Sequence, residues 1–297
     1  MKVSVIIPTY NGSSKIVQLL DSLKQQTFRN FELIISIDGS TDDTAQVVEP
    51  YVSWFDMSVF IQKNGGRSSA KNNGAKHAKG DLLIFYDDDM EPTMDSIQKH
   101  IDFHKNKGLA ILAGNPSEME SEVNTDIQNY KAWLASHWMK KYPDTIVQLT
   151  RQDLFLSAAN FSIAKEVFDN LNGFDVRLTD AEDFDLGCRA IINQIPVYFD
   201  KTNRAIHHDD ITCRSYIARQ RQYQSAHQAL STLKGEGNFG KSKGFKRLIY
   251  WMLAFRFLVV FVDRSLFTFV LPKILRYKLY TLIIHSLSVE FPTVKIQ

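Results

Sequence analysis

Cysteine is scarce in this chain, with two residues, Cys188 and Cys213, among 297. Two cysteines make no disulfide framework, and the residues around them suggest no metal cluster. Because disulfides persist mainly in oxidising compartments, this scarcity favours a reducing, cytoplasmic location. Residues 1–8 carry one charge and break at Pro8, which makes a stretch too short for a signal peptide.

Long apolar segments are also lacking. In the C-terminal part, the longest unbroken apolar runs are Leu248–Phe255 and Phe257–Val262, whereas a spanning helix needs about 20 predominantly apolar residues. Residues 241–278 contain nine Lys/Arg against one acid, although the whole chain has a net charge of +2. The first 240 residues are therefore acidic overall, and the basic charge is concentrated near the C-terminus.

The C-terminal tail, residues 241–297, follows a predicted flexible break at 235–240. Its mixture of cations and large apolar residues favours helices that lie in the membrane interface, with peripheral contact through 241–290. The alternative is a helical pair packed on the rest of the chain or on a second subunit. Cations interspersed with Phe, Leu and Val make a poor solvated groove for nucleic acid.

The first 90 residues alternate short apolar strands with helical patterns. This alternation predicts an α/β fold with a parallel sheet and right-handed crossovers. Ligands of such sheets bind beyond the carboxyl ends of the strands. The predicted strands lie at 3–8, 32–38, 57–62 and 82–86, and the predicted helices at 14–26, 41–51 and 68–78.

Polar residues follow the ends of these strands. Asp87, Asp88 and Asp89 come directly after the fourth strand, and adjacent carboxylates repel one another unless a cation is near. Oxygen ligands suit Mg²⁺ or Mn²⁺, although a solvated acidic turn is the alternative. Together with Asp38 and with Arg67 on the third helix, they are the groups that a metal-bridged diphosphate needs.

Four motifs in this order resemble the nucleotide-sugar half of family-2 glycosyltransferases of the GT-A fold. The resemblance covers about residues 1–235 and departs at Ile37, where many relatives have an additional aspartate. It implies a GT-A-like, Rossmann-like, mostly parallel central sheet flanked by helices, with a C-terminal helical appendage. The motifs are Pro8-Thr9-Tyr10-Asn11, Ile37-Asp38-Gly39-Ser40-Thr41-Asp42, Arg67 with Lys71-Asn72 and Ala75, and Phe85-Tyr86-Asp87-Asp88-Asp89 with Pro92.

On the donor side, the resemblance implies that Asp38 accepts a hydrogen bond from the imide N–H of uracil or thymine. Thr9 and Tyr10 would form a wall beside the base, and Arg67 would reach the diphosphate. Asp89 would be the direct ligand of Mn²⁺ or Mg²⁺, with Asp87 and His207 as further ligands and His208 as the alternative histidine. The implied nucleotide-sugar-binding set is Pro8, Thr9, Tyr10, Asn11, Asp38, Arg67, Lys71, Asp87 and Asp88.

On the acceptor side, the resemblance implies that Asp183 is the general base, because a sugar hydroxyl must lose its proton as it attacks. Glu182 and Asn160 would bind the acceptor. Asp185 is expected to pair with Arg189 one turn along the same helix. The alternative is that these acids have no catalytic role and are present because carboxylates are stabilised at the positive amino end of a helix.

The sequence thus predicts a metal-dependent, inverting glycosyltransferase that moves a sugar from a UDP-linked donor to a hydroxyl. The acceptor would be a glycan or a lipid-linked sugar in cell-surface polysaccharide synthesis, on the inner face of the membrane. The predicted divisions are a donor half at 1–115, an acceptor half at 116–235 and the tail. The alternatives are a metal-dependent nucleotidyltransferase and a non-catalytic sugar- or nucleotide-binding member of the fold.

Overall fold

The computed structural model describes residues 1–121, 123–234 and 242–296. The chain divides into two compact units: Met1–Ser117 with Met139–His208, and Glu118–Trp138 with Asp209–Gln297. The predicted donor half, acceptor half and tail divide the chain elsewhere and stay a prediction. The predicted break at 235–240 lies outside the described residues, as does Lys241 at the start of the predicted tail.

Within the described residues, nine strands form one mixed sheet with the order β3-β2-β1-β4-β8-β6-β9-β5, and β7 pairs with β9. The first four strands along the chain are parallel to one another, and the alternation of strands and helices around them confirms the predicted fold class. The strands are β1 (Val3–Thr9), β2 (Glu32–Asp38), β3 (Asp56–Gln62), β4 (Leu82–Tyr86), β5 (Met90–Pro92), β6 (Ile111–Ser117), β7 (Val147–Leu149), β8 (Asn160–Ala164) and β9 (Val197–His207).

The helices of the first unit flank this sheet. The helices of the described chain are α1 (Ile16–Lys24), α2 (Thr44–Val48), α3 (Arg67–His77), α4 (Ser96–Lys107), α5 (Asp126–Met139), α6 (Lys165–Asn170), α7 (Glu182–Ile192), α8 (Cys213–Lys234), α9 (Gly244–Leu253), α10 (Arg256–Asp263) and α11 (Lys273–His285). Short 3₁₀ turns lie at Glu49–Ser53 and Leu266–Phe269, and a π turn at Ser286–Glu290 follows α11.

The core of the first unit lies on both faces of the sheet. Ile16, Leu19, Leu20 and Leu23 recur at helical spacing on α1, and none is more than 1% exposed. They pack in one cluster with the side of β1 that carries Val5, whereas the opposite side of that strand packs in a second cluster. A strand buried on both faces explains why β1 reads as continuously apolar.

Strand β9 extends well beyond its apolar segment. The apolar residues at 195–199 predict only a short strand, whereas β9 runs from Val197 to His207. Polar residues interrupt its second half, yet β6 and β5 pair with it there, and these non-local hydrogen bonds override the local pattern. The extension places His207 at the same sheet edge as the carboxyl ends of β1, β2 and β4.

The second unit has its own apolar core, which is built from α5, α8, α10 and α11. Tyr130 on α5 is buried there. Arg276 donates two hydrogen bonds of 2.7 Å to the carboxylate of Asp126, which joins α11 to α5. The apolar stretch 248–262 belongs to two helices, which are separated by Ala254 and Phe255. Among the described residues, every helix is too short or too polar to cross a bilayer.

Candidate active site

The sheet brings the sequence-predicted residues of the first unit to one edge. Strands β1, β2 and β4 end there because they are parallel, and β8 begins there because it runs antiparallel to β4. Helix α7 begins at Glu182, after Ala181, whose φ of 62° lies in the left-handed region. A non-glycine residue in that region costs on the order of 1 kcal/mol or more, and such strain is frequent at functional sites.

Asp38 at the end of β2 is held by the turn that follows β3. Its carboxylate accepts hydrogen bonds from the backbone N–H groups of Gly65 and Gly66, each at 2.8 Å, and from Gln62 Nε2 at 2.7 Å. A carboxylate has about four acceptor positions, so one remains for a ligand. Asp38 is 3% exposed, and these three hydrogen bonds fix the orientation of its carboxylate.

The loop after β1 is tied to its neighbours. Thr41 N–H donates to Asn11 Oδ1 at 2.8 Å, and Asn11 N–H donates to Ser40 Oγ at 2.9 Å. Pro8 and Thr9 are buried, whereas Tyr10 is 53% exposed and presents its ring to solvent. Of the two residues predicted to form a wall beside the base, Thr9 and Tyr10, only Tyr10 therefore has an exposed side chain.

The three consecutive aspartates point in different directions. Asp88 accepts a hydrogen bond of 2.5 Å from the Thr9 hydroxyl, while Asp89 lies 3.4 Å from His207 Nε2 and 3.5 Å from Lys15 Nζ. Gly12 is required beside this contact, because a Cβ there would lie within 2.5 Å of both Thr9 and Asp88.

Their electrostatic environments differ accordingly. Burial, together with the charges of Asp89 and Asp87, raises the pKa of Asp88 to about 6, against the hydrogen bond from Thr9. Burial also opposes the charge on Asp89, but His207 and Lys15 outweigh it and lower the pKa of Asp89 to about 2. Asp89 is thus an ionised carboxylate, ready to bind a cation.

The two adjacent histidines have different partners. His207 faces Asp89, whereas His208 Nε2 lies 2.6 Å from Glu91 Oε2 and 2.9 Å from Gln18 Nε2. His207 is therefore the histidine next to the aspartates, as the sequence favoured. Lys15 was not singled out from the sequence, because no motif marks a lysine beside α1.

Lys71 joins the donor side of the site to the acceptor side. Its ammonium is 2% exposed and lies 2.8 Å from Glu182 Oε1 and 3.7 Å from Asp87 Oδ1. Burial disfavours its charge, but these two carboxylates outweigh burial and raise the pKa of Lys71. The Arg67 side chain is half exposed, and its guanidinium lies 3.5 Å from Asp180 Oδ1.

Asp183 is oriented by two backbone N–H groups. Ala158 N–H donates to Oδ2 at 3.1 Å and Phe184 N–H donates to Oδ1 at 2.7 Å. Burial and the neighbouring Glu182 charge raise the pKa of Asp183, while Lys71 and the two N–H groups oppose the shift. A carboxylate with a raised pKa is a stronger base when ionised, which suits proton removal from a hydroxyl.

Two other predicted residues have contacts within the protein. Asp185 accepts a hydrogen bond of 2.8 Å from Arg189 Nε, so the predicted pairing is confirmed. Asn160 is fully buried, with its Oδ1 2.9 Å from His100 Nε2 and its Nδ2 donating to the Asn203 carbonyl at 3.0 Å. The Asn160 side chain is therefore bonded to α4 and β9 and not to Glu182 or Asp183. The sequence could not show this, because it does not reveal that α4 packs against β8.

The first unit combines a mixed sheet, whose first four strands are parallel, with carboxylates at one sheet edge, and comparison with known proteins identifies the family. The family model described as glycosyl transferase family 2 matches residues 4–171, which is more than half of the chain. The protein therefore belongs to glycosyltransferase family 2, as the sequence motifs predicted.

Two bacterial glycosyltransferases are among the similar proteins. The chain is 36% identical over 140 residues to the poly(ribitol-phosphate) beta-N-acetylglucosaminyltransferase TarS of Staphylococcus aureus, over 43% of this chain and 24% of TarS. It is 34% identical over 117 residues to the GalNAc(5)-diNAcBac-PP-undecaprenol beta-1,3-glucosyltransferase of Campylobacter jejuni, over 38% of each chain. The chain thus matches less than half of the length of these relatives.

Solved structures agree on the fold. Residues 1–349 of S. aureus TarS in complex with UDP align with a TM-score of 0.57 and 18% identity, over 99% of this chain and 90% of that one. A mannosyltransferase from Pyrobaculum calidifontis in complex with GDP-Man and Mn²⁺ aligns with a TM-score of 0.62 and 15% identity, over 96% and 85%. This likeness confirms the GT-A fold.

Proposed function

We propose that the protein transfers a sugar from a UDP-linked donor to a hydroxyl of a glycan or lipid-linked acceptor in cell-surface polysaccharide synthesis, with inversion at the anomeric carbon. The observation that supports this most is the link through Lys71, which contacts Asp87 on one side and Glu182, next to Asp183, on the other. Lys71 thus connects Asp87, on the proposed diphosphate side, with the proposed base, Asp183. A nucleotidyltransferase has no need of a base at the start of α7.

The proposed donor follows from Asp38 and from a relative. The remaining acceptor position of the Asp38 carboxylate suits the imide N–H of uracil. TarS, whose complex with UDP-GlcNAc is known, supports a uridine donor. The P. calidifontis enzyme holds GDP-Man, so the fold alone does not select the nucleotide. Arg67 and Lys71, whose Nζ lies 3.7 Å from Asp87 Oδ1, would neutralise the diphosphate.

A divalent metal fits the residues at the end of β4. Two metal bonds of about 2.1 Å at a right angle separate their ligand atoms by about 3 Å, and Asp89 Oδ1 lies 3.4 Å from His207 Nε2. A mixed carboxylate and imidazole set suits Mn²⁺, which the P. calidifontis structure also holds. Asp89 and His207, with Asp87 nearby, would hold the metal, which when bound offsets negative charge on the departing diphosphate.

The proposed reaction is a single displacement. Glu182 orients the acceptor hydroxyl, and Asp183 takes its proton as the oxygen attacks the anomeric carbon. The new C–O bond forms as the bond to the diphosphate breaks, and the nucleoside diphosphate leaves with the electron pair. Because charge on the leaving group is stabilised, no second carboxylic acid has to protonate it, in contrast to a glycosidase.

A thermal-shift screen with Mn²⁺ tests the donor assignment. UDP and UDP-GlcNAc should raise the melting temperature more than GDP or CDP at equal concentration, because binding to the native state stabilises it and cytosine has no imide N–H for Asp38. The Asp38→Asn variant should lose the preference for uridine, since an amide offers both donor and acceptor atoms to the base. Equal shifts for all nucleotides would contradict the uridine assignment, and the absence of any shift would favour the non-catalytic alternative.

A further inference from the structure

The second unit exposes an apolar stripe that its own core does not use. On α9, Phe245, Leu248, Ile249 and Met252 are 76%, 50%, 38% and 58% exposed, and they recur at the i, i+3, i+4 and i+7 spacing of one helix face. Tyr250 is the buried residue of this helix. Helix α9 is therefore amphipathic with an apolar side toward solvent, the reverse of an ordinary surface helix.

An aromatic row continues from this stripe. Ring centroids lie 6.3 Å apart for Trp251 and Phe255, 5.7 Å apart for Phe255 and Phe257, and 6.1 Å apart for Phe257 and Phe261. Each of these four rings is at least 41% exposed. Contiguous apolar surface of this kind is rare in a monomer unless another surface covers it. The α9 stripe and these four rings are called the aromatic face below.

The charge around the aromatic face is basic. Lys246, Arg247, Arg256 and Arg264 are exposed on the same two helices and their ends. Among the described residues 242–296, the acids are Asp263, which accepts a hydrogen bond from Cys213 N–H, and Glu290, which is 2% exposed. The surface therefore presents cations and apolar rings with little compensating negative charge.

We propose that the aromatic face binds an anionic lipid bilayer, with its rings at the level of the acyl chains and its cations among the headgroups. Helices α9 and α10 have 10 and 8 residues, so they are about 15 and 12 Å long and lie on the membrane. A symmetric contact with a second copy would set the same cations against one another, which is unfavourable. The proposal does not depend on the proposed chemistry.

Flotation of the full chain with vesicles tests whether the aromatic face binds an anionic bilayer. The protein should float with phosphatidylcholine vesicles that contain phosphatidylglycerol, and much less with phosphatidylcholine alone. Raising the salt to about 1 M should reduce the bound fraction, because the Debye length falls to about 3 Å. Circular dichroism and the shift in melting temperature with UDP, measured on the same samples, report folding and donor binding separately.

Two double variants separate the apolar from the charged contribution. Trp251→Ser with Phe257→Ser should weaken partition into anionic vesicles by more than about tenfold, because two half-exposed aromatic side chains lose their burial. Lys246→Glu with Arg247→Glu should weaken binding to anionic vesicles and should leave the weak binding to phosphatidylcholine vesicles unchanged. The matched control, Trp54→Ser with Ile61→Ser, removes apolar side chains that are 64% and 67% exposed on the first unit, and its binding should be unchanged.

Quenching by brominated lipids identifies the residue that enters the membrane. Trp251→Phe should still bind but lose part of the tryptophan quenching, whereas Trp54→Phe should retain it all. If the folded protein stays unbound with anionic vesicles, the proposal is wrong. It is also wrong if the Trp251→Ser with Phe257→Ser variant turns an oligomer into a monomer without changing vesicle binding, because a second copy is then the occupant.

Discussion

The two units of this protein place charged and apolar groups in opposite ways. In the first unit, several charged side chains are buried beside specific partners, as Lys71 is beside Glu182 and Asp87. In the second unit, large apolar side chains such as Trp251 are exposed to solvent. A buried charge is tolerated when partners of opposite charge compensate the free energy of its desolvation. Exposed apolar surface is tolerated where another surface covers it.

The largest effect expected in the first unit is on catalysis. Asp183→Asn should reduce sugar transfer by about 10²–10⁴-fold, because an amide cannot accept the hydroxyl proton, and should leave the affinity for UDP nearly unchanged. Steady-state kinetics and calorimetry measure the two quantities. Asp169→Asn, a change at a carboxylate that is 57% exposed, is the matched control. Unchanged turnover in Asp183→Asn would remove this residue from the role of base.

Removal of the buried cation should destabilise the first unit strongly. Lys71→Met should lower the free energy of unfolding by about 3–5 kcal/mol, because it leaves Glu182 buried without its partner. Denaturant titration measures the loss, and Lys76→Met, an exposed change on the same helix, should have little effect. Adding Glu182→Gln to Lys71→Met should recover part of the stability. A purely additive double variant would show that the pair is not coupled.

Substitutions of Asp89 and of Asp88 should differ in their effect on metal-dependent binding. Asp89→Asn should weaken Mn²⁺-dependent UDP binding by about tenfold or more, since even indirect partners of a ligand contribute that much. Asp88→Asn should have a smaller effect, because its carboxylate is bonded to Thr9. Calorimetry with and without Mn²⁺ compares them. Equal losses in both variants would mean that the metal does not distinguish the two carboxylates.

The stability of the first unit should depend on pH through Asp183. Burial raises its pKa in the folded state, so its contribution to stability is fully present below the unfolded pKa of about 4. That contribution is lost as the pH rises through the folded pKa. The stability of the wild type relative to Asp183→Asn should therefore fall from acidic to alkaline pH. Chemical denaturation across this range measures it, and a difference independent of pH would contradict the shift.

The smallest effect is expected on the exposed rings of the second unit. Trp251→Ser should change the free energy of unfolding by less than about 0.5 kcal/mol, as surface substitutions usually do. Ile283→Ala, at a fully buried position of the same unit, should cost about 2–5 kcal/mol. If both changes cost the same, Trp251 would belong to the core and the contrast between the units would disappear.

Much of the first unit could be predicted because its signals are local. Each of the first four strands is a short apolar run followed by polar residues, and parallel pairing brings those ends together without further information. The pairing of Asp185 with Arg189 follows from helical spacing alone. The role of Asn160 could not be judged in this way, because His100 and Asn203, which bond its amide, are distant in the sequence.

By itself, the sequence determined the family, the order of strands and helices around the first four strands, and the residues gathered at one sheet edge. Local patterns and motif spacing contain this information. The tertiary structure decided which of His207 and His208 faces Asp89, that Lys71 connects Asp87 to Glu182, and that Asn160 is buried. These outcomes depend on contacts between segments far apart along the chain, such as the pairing of β9 with β5 and β6, which no local pattern specifies.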